Sequence, residues 1–204
     1  LLKEVAPDVI FSPVTFNEVI EALEGLFQAY EYEMGELVED YIDYCAEVGL
    51  VDRSQHLLRI VPCGQSLEIN RKYGIYFHPS DRGYAPHRFT GIYKDKRVQA
   101  IWENDSVFDV SYENGKLEKE PVSGRNTDEY DKKLISIIED ALVECGYEIA
   151  TGHRFFCGLP HETSFMKSTW GGIRGQRYID VQEATGDYVD PADLASKLAN
   201  LTWE

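Results

Sequence analysis

Two stretches of this 204-residue chain hold most of the residues able to do chemistry. The first runs Tyr73-Gly74-Ile75-Tyr76-Phe77-His78-Pro79-Ser80-Asp81-Arg82-Gly83-Tyr84-Ala85-Pro86-His87-Arg88-Phe89 and continues to Tyr93, Lys94, Lys96 and Trp102. It interleaves rings, histidines and bases. Rings present faces on which a flat ligand stacks, and bases grip an anion. Alternation along strands predicts Ile75, Phe77 and Ile92 on one face and Tyr76, His78 and Tyr93 on the other. The second stretch is Phe165-Met166-Lys167-Ser168-Thr169-Trp170-Gly171-Gly172-Ile173-Arg174-Gly175-Gln176-Arg177-Tyr178. Its three glycines allow a close backbone approach and aim successive amides at an anion. The candidate ligand-binding set is therefore Tyr76, His78, Arg88, Tyr93, Lys94, Lys96, Trp102, Lys167, Trp170, Arg174 and Arg177. The competing expectation is purely structural: strand tyrosines complete a core or an edge, and Trp170 folds into the interior.

A catalytic alternative rests on two tripeptides, His78-Pro79-Ser80 and His161-Glu162-Thr163, placed 83 residues apart and each just after a strand. The pair resembles the motif of two-histidine phosphoesterases. That resemblance implies His78 and His161 as base and acid, with Ser80 and Thr163 binding phosphate. It departs from that family where Pro79, Asp81, Glu162 and Ser164 stand in place of hydrophobic residues. A Walker loop, a Rossmann fingerprint, His-Glu-x-x-His and Gly-x-Ser-x-Gly are all absent from the sequence. Asp131-Lys132-Lys133 has helical rather than strand spacing, so no metal-nuclease triad is read there. No metal or cofactor is expected.

Charge separates the chain into parts. The net charge is −16, which argues against a general polyanion binder. Residues 1–55 carry 13 acidic and 2 basic side chains, whereas residues 56–125 carry 9 acidic and 11 basic. Arg71, Lys72, Arg82, Arg88, Lys94, Lys96 and Arg97 form one local excess, and Arg154, Lys167, Arg174 and Arg177 form another. These bases are expected to converge on one face, as a basic, aromatic patch on an acidic body. The simpler alternative pairs them with the acidic helices.

The elements that would position these residues follow from periodicity and caps. Thr15-Phe16-Asn17-Glu18 has capping-box form and opens a helix to about Ala29. A second helix is expected over residues 34–48, with Leu37, Val38, Tyr41, Ile42 and Cys45 on its apolar face. Together they make an acidic helical hairpin over residues 1–55, a solvated surface or a docking face for another protein domain. From Leu57 the period becomes two. Strands are expected at 58–61, 74–78, 89–93, 98–102, 107–112, 154–159 and 177–181, with turns at Lys94-Asp95-Lys96 and Asn114-Gly115. Helices are expected from 128 to 145 and, after the Asp190-Pro191 cap, from 191 to 201. Residues 160–176 read as a loop. The expectation is α+β, a mostly antiparallel curled sheet or small barrel over residues 56–204.

The unit Ile92-Tyr93, Lys94-Asp95-Lys96-Arg97, Val98-Gln99-Ala100-Ile101-Trp102, with a later aromatic strand and a Gly-rich return to Tyr178, resembles the PUA-like β-barrels. That superfamily includes the ASCH and EVE domains, and the resemblance spans residues 57–182. It implies a non-catalytic module that recognises a nucleotide, modified base or short nucleic acid in a ring-walled, basic cleft. The acidic hairpin looks like the tail of a nuclease-type defence or restriction protein. A third expectation is thus a regulatory or protein-interaction domain of such a protein. The chain opens at Leu1 rather than Met, which suggests a piece of a longer protein. No apolar run has the roughly 18 residues of a membrane span. Cys45, Cys63, Cys145 and Cys157 lack Cys-x-x-Cys spacing and are expected as free, buried thiols in a cytoplasmic protein.

Overall fold

Two-residue turns set the register of the first two hairpins. Asp95 and Lys96 both adopt positive φ (52° and 63°), as do Asn114 and Gly115 (52° and 76°). That is the turn geometry whose twist matches paired antiparallel strands. The computed structural model describes residues 14–24, 26, 34, 37, 38, 41, 45, 50 and 53–204. The chain divides into two compact units, Leu1–Arg53 and Ser54–Glu204.

In the first unit, helix α1 (Phe16–Glu24) starts as the capping box requires. Glu18 N donates to Thr15 Oγ1 at 3.2 Å, and Thr15 N donates to Glu18 Oε2 at 2.7 Å. The hydrogen bonds that Thr15 N and Thr15 Oγ1 donate to the Glu18 carboxylate hold it below its ordinary range. Residues 34, 37, 38, 41 and 45 are helical, with Val38 and Cys45 buried. The rest of the expected second helix and its turn lie outside the described residues.

The second unit contains β1 (Leu57–Pro62), α2 (Leu67–Tyr73), β2 (Ile75–Pro79), β3 (Phe89–Lys94), β4 (Arg97–Glu103), β5 (Ser106–Glu113) and β6 (Lys116–Gly124). It continues with α3 (Asp131–Cys145), β7 (His153–Cys157), β8 (His161–Lys167), β9 (Arg177–Asp180), α4 (Val181–Thr185), α5 (Pro191–Leu198) and β10 (Thr202–Trp203). The fold is α+β. A strongly curled six-stranded half-barrel has the order β10-β8-β4-β3-β1-β9, and a four-stranded antiparallel sheet has the order β2-β7-β5-β6.

Three apolar layers hold these parts. Leu58, Ile60, Phe89 and Ile101 of the six-stranded sheet pack with Leu194 and Leu198 of α5. Ile75, Phe108 and Phe155 of the four-stranded sheet pack with Leu134, Ile137 and Ala141 of α3. Val61, Ile92 and Trp102 from one sheet meet Tyr76, Val107 and Phe156 from the other in the layer between.

Strand pairing is mostly antiparallel, as expected, with two parallel pairs, β1 with β3 and β10 with β8, that make the six-stranded sheet mixed. Several other expectations are corrected. β2 and β3 lie in different sheets, so Ile92 faces Tyr76 rather than sharing a face with Ile75 and Phe77. Half of the expected 160–176 loop is β8, a largely polar strand whose buried anchor is Phe165. β6 escaped the reading because it is a charged edge strand with no buried position, exposed throughout from Glu120 to Gly124, and it carries Pro121 beside its bulge. Val181 begins α4 rather than ending a strand, since Asp180 caps that helix through Gln182 N and Glu183 N. The last helix stops at Leu198.

Candidate functional site: the cleft between the two sheets

The pleat selects the residues that meet between the sheets. On β1, Leu58 and Ile60 point toward α5, so Arg59 and Val61 point into the opposite layer. By the same alternation β2 contributes Tyr76 and His78, and β7 contributes Arg154 and Phe156. β5 contributes Val107 and Asp109, and β3 contributes Thr90 and Ile92. One end of the layer is apolar. The other collects Arg59, His78, Thr90 and Arg154, and the loop between β2 and β3 adds Arg82, Tyr84 and His87.

Arg59 is 1% exposed. Its guanidinium carbon lies 5.1 Å from the Tyr84 ring centroid, 5.3 Å from Phe156 and 5.5 Å from Tyr76. Nη1 lies 3.3 Å from His78 Nε2. A guanidinium can only donate, so Nε2 accepts and His78 Nδ1 donates to the Pro79 carbonyl at 2.7 Å. Arg59 Nε has no hydrogen-bond partner, and no carboxylate pairs with Arg59 among the described residues. Burial lowers its pKa from the ordinary arginine value, with nearby phenols opposing and Arg82 adding to the shift. Burying an ion costs several kcal/mol, and each ring contact returns about 0.5–2 kcal/mol. The cage reduces the unmet demand for negative charge without supplying an anion.

Arg154 is the contrasting case. Its Nε and Nη2 each reach an Asp109 carboxylate oxygen at 2.7 Å, a bidentate pair that raises the guanidinium pKa. Burial, with a smaller contribution from Arg59, lowers His78 and His87 to about 4, so both imidazoles are neutral near pH 7. Rings tile the wall. Phe156 lies 5.2 Å from His78, 5.2 Å from Tyr84 and 5.3 Å from His87.

Two cavities open beside this cage. One of about 600 Å³ is lined by residues including Ser80, Arg82, Tyr84, His87, Arg154 and Phe156. The other, about 460 Å³, is lined by residues including Val61, Tyr76, Arg82, Arg174 and Gln176. Arg82 and Gly83 border both. Among the described residues no three His, Cys, Asp or Glu side chains converge as a metal site. The buried Cys63 thiol is pushed up to about 12, so it is protonated and a poor nucleophile.

The candidate set divides. Tyr76, His78 and Arg174 belong to the cleft and its cavities. Lys96, Lys167 and Trp170 form a separate surface group: Lys167 N donates to Lys96 O at 2.8 Å, and Lys96 Nζ sits 5.9 Å from the Trp170 ring. Trp170 is 96% exposed, which overturns the expectation of a core tryptophan. Trp102 and Tyr93 are interior residues. Tyr93 faces the α5 side, 5.9 Å from Trp203. Arg88 pairs with Glu103 at 2.9 Å, Lys94 is half-buried, and exposed Arg177 donates to the Gln176 carbonyl.

The bases do not form the single expected face. Lys72 pairs with Asp140 at 2.8 Å and Arg71 with Glu68 at 2.7 Å. His161 sits on β8 opposite Ile101, in the other sheet from His78, and Thr163 donates its hydroxyl to the Ala195 carbonyl. Both ring nitrogens of His78 are already engaged. The candidate ligand set left out Arg59 and Phe156, and also Arg82, Tyr84, His87 and Arg154, which were noted only as part of the ring-rich stretch or of the local basic excesses. The signal for Arg59 was a single arginine inside the apolar run Leu57-Leu58-Arg59-Ile60-Val61. No helix among the described residues is long and apolar enough to cross a membrane. Comparison with protein-family models, with curated proteins and with solved structures gave no match.

Proposed function

We propose that this protein is a non-catalytic recognition module with a PUA-like barrel, taking a nucleotide, modified base or short nucleic acid in the cleft between its sheets. The observation that carries this reading is the cavity of about 600 Å³ walled by Tyr84, His87 and Phe156 and flanked by Arg82 and Arg154. Rings receive a base face, and Arg82 receives its phosphate. The curl of the six-stranded sheet supports the barrel reading. Neutral imidazoles suit recognition, since they add hydrogen-bonding edges without charge at pH 7.

A thermal-shift screen with mononucleotides and short oligonucleotides tests the proposal. A ligand that binds only the folded state raises the melting midpoint as its concentration rises. The expected result is such a rise for nucleotides or oligonucleotides, reduced in Arg82→Ala. No rise with any of them overturns the reading.

A further inference from the structure

We infer that the Arg59 guanidinium is the receptor for a phosphate-class oxyanion, reached from the cleft beneath Tyr84. This deepens the proposed function by naming the group that the innermost part of the site takes. Four observations converge. Arg59 is fully buried, yet no carboxylate pairs with it among the described residues. Its Nε is a donor without an acceptor. Of the charged groups at the neighbouring cavity, Arg154 is neutralised by Asp109, and Arg82 adds positive charge beside Arg59 with Asp81 on the same wall, so none of them supplies Arg59 with a paired anion. One of the three rings against Arg59 belongs to a loop: Tyr84 lies 5.1 Å from the guanidinium and also lines that cavity.

The Arg154–Asp109 pair excludes the other arginine, whose fork is already filled. Rings surround the Arg59 guanidinium while His78 holds Nη1, so donation to an anion is left to the Nε edge. A planar fork offers paired donors to phosphate. The Ser80–Arg88 segment would have to carry Tyr84 aside for the anion to enter. The ends of that segment are fixed by Ser80 N to Gly152 O, Arg82 N to Pro79 O, Arg88 N to Ser54 O and Asn104 N to Arg88 O, whereas the Tyr84–Ala85 tip is held by Ala85 N to the Tyr178 hydroxyl and by Arg154 Nη1 to the Tyr84 hydroxyl at 3.5 Å.

The test is calorimetric titration of the full chain and of Arg59→Met with inorganic phosphate, a nucleoside and the matching nucleoside monophosphate. Arg59→Met keeps the volume and removes a buried charge, so its melting midpoint should equal or exceed that of the unaltered protein. Binding of phosphate and of the monophosphate should weaken about 10- to 100-fold, as for loss of one charge-assisted contact. Should Arg59→Met fail to fold, Arg59→Lys is read the same way, because it keeps the charge and loses the fork. Phosphate binding lost in the variant, with the nucleotide no tighter than phosphate, supports the oxyanion site and overturns the nucleotide reading. Nucleoside and monophosphate binding equally, unchanged in the variant, supports the cleft and overturns the Arg59 assignment. No binding of any probe to the unaltered protein overturns both.

Discussion

The cleft and the Gly-rich loop are built from the same parts, a cation against aromatic rings, yet they are physically opposite. In the cleft, Arg59 is held by strands on either side and shielded by Tyr76, Tyr84 and Phe156. At the loop, Lys96 sits over Trp170 in open solvent. Water screens the second pair and leaves its side chains free to reorder, so it is worth little to the fold. The first pair lies where solvent is excluded, so loss of a ring leaves the buried guanidinium less well compensated. Burial, rather than residue type, decides which group is a preorganised site.

The largest effect that would sharpen this contrast is Phe156→Ala. Phe156 is 1% exposed and touches every ring of the cage, so its truncation should cost about 3–5 kcal/mol in denaturant unfolding. A loss below about 1 kcal/mol would show that the cage is loosely packed and would break the comparison. Next comes Asp109→Ala. It strips Arg154 of its bidentate partner beside Arg59 and Arg82, and the expected loss is about 1–3 kcal/mol, toward the lower figure because the pair is partly solvated. Added phosphate should recover part of that stability, read as a larger thermal shift than in the unaltered protein.

The third prediction concerns pH. His78 and His87 have folded-state pKa values lowered from 6.5 to about 4, so the unfolded chain binds more protons between those values. Their contribution to stability is therefore complete above pH 6.5 and is lost as pH falls toward 4. The melting midpoint should drop across that window, and His87→Gln should flatten the drop; an identical profile in that variant would remove His87 from the buried cluster. The smallest effect is Trp170→Ala. With its ring in solvent, unfolding stability should change by less than about 0.5 kcal/mol. If oligonucleotides reach the loop, their binding should weaken by about 1–3 kcal/mol per stacked base with little change in salt dependence.

Local order was the readable part of the sequence. The Thr15/Glu18 box, the Asp190-Pro191 cap and the Asn114-Gly115 turn stand where local chemistry places them, because each is satisfied by atoms a few residues away. The polar strands β6 and β8 were illegible for the complementary reason: their pairing comes from β5 and from β4, not from their own residues. Tyr76 and His78 were recognised as one face since a period of two guarantees it. Which strands that face would meet was not available from spacing.

Within Leu57-Leu58-Arg59-Ile60-Val61, the sequence by itself determined a strand with Arg59 on the face opposite Leu58 and Ile60. Read locally, that is the solvent face. Only the tertiary structure made it interior, by pairing β1 between β3 and β9 and laying β2 and β7 across that face. The physical reason is that alternation specifies sides of a sheet, whereas burial depends on what a distant segment sets against each side. The same arginine is a solvated surface charge without the second sheet and a caged, unpaired cation with it.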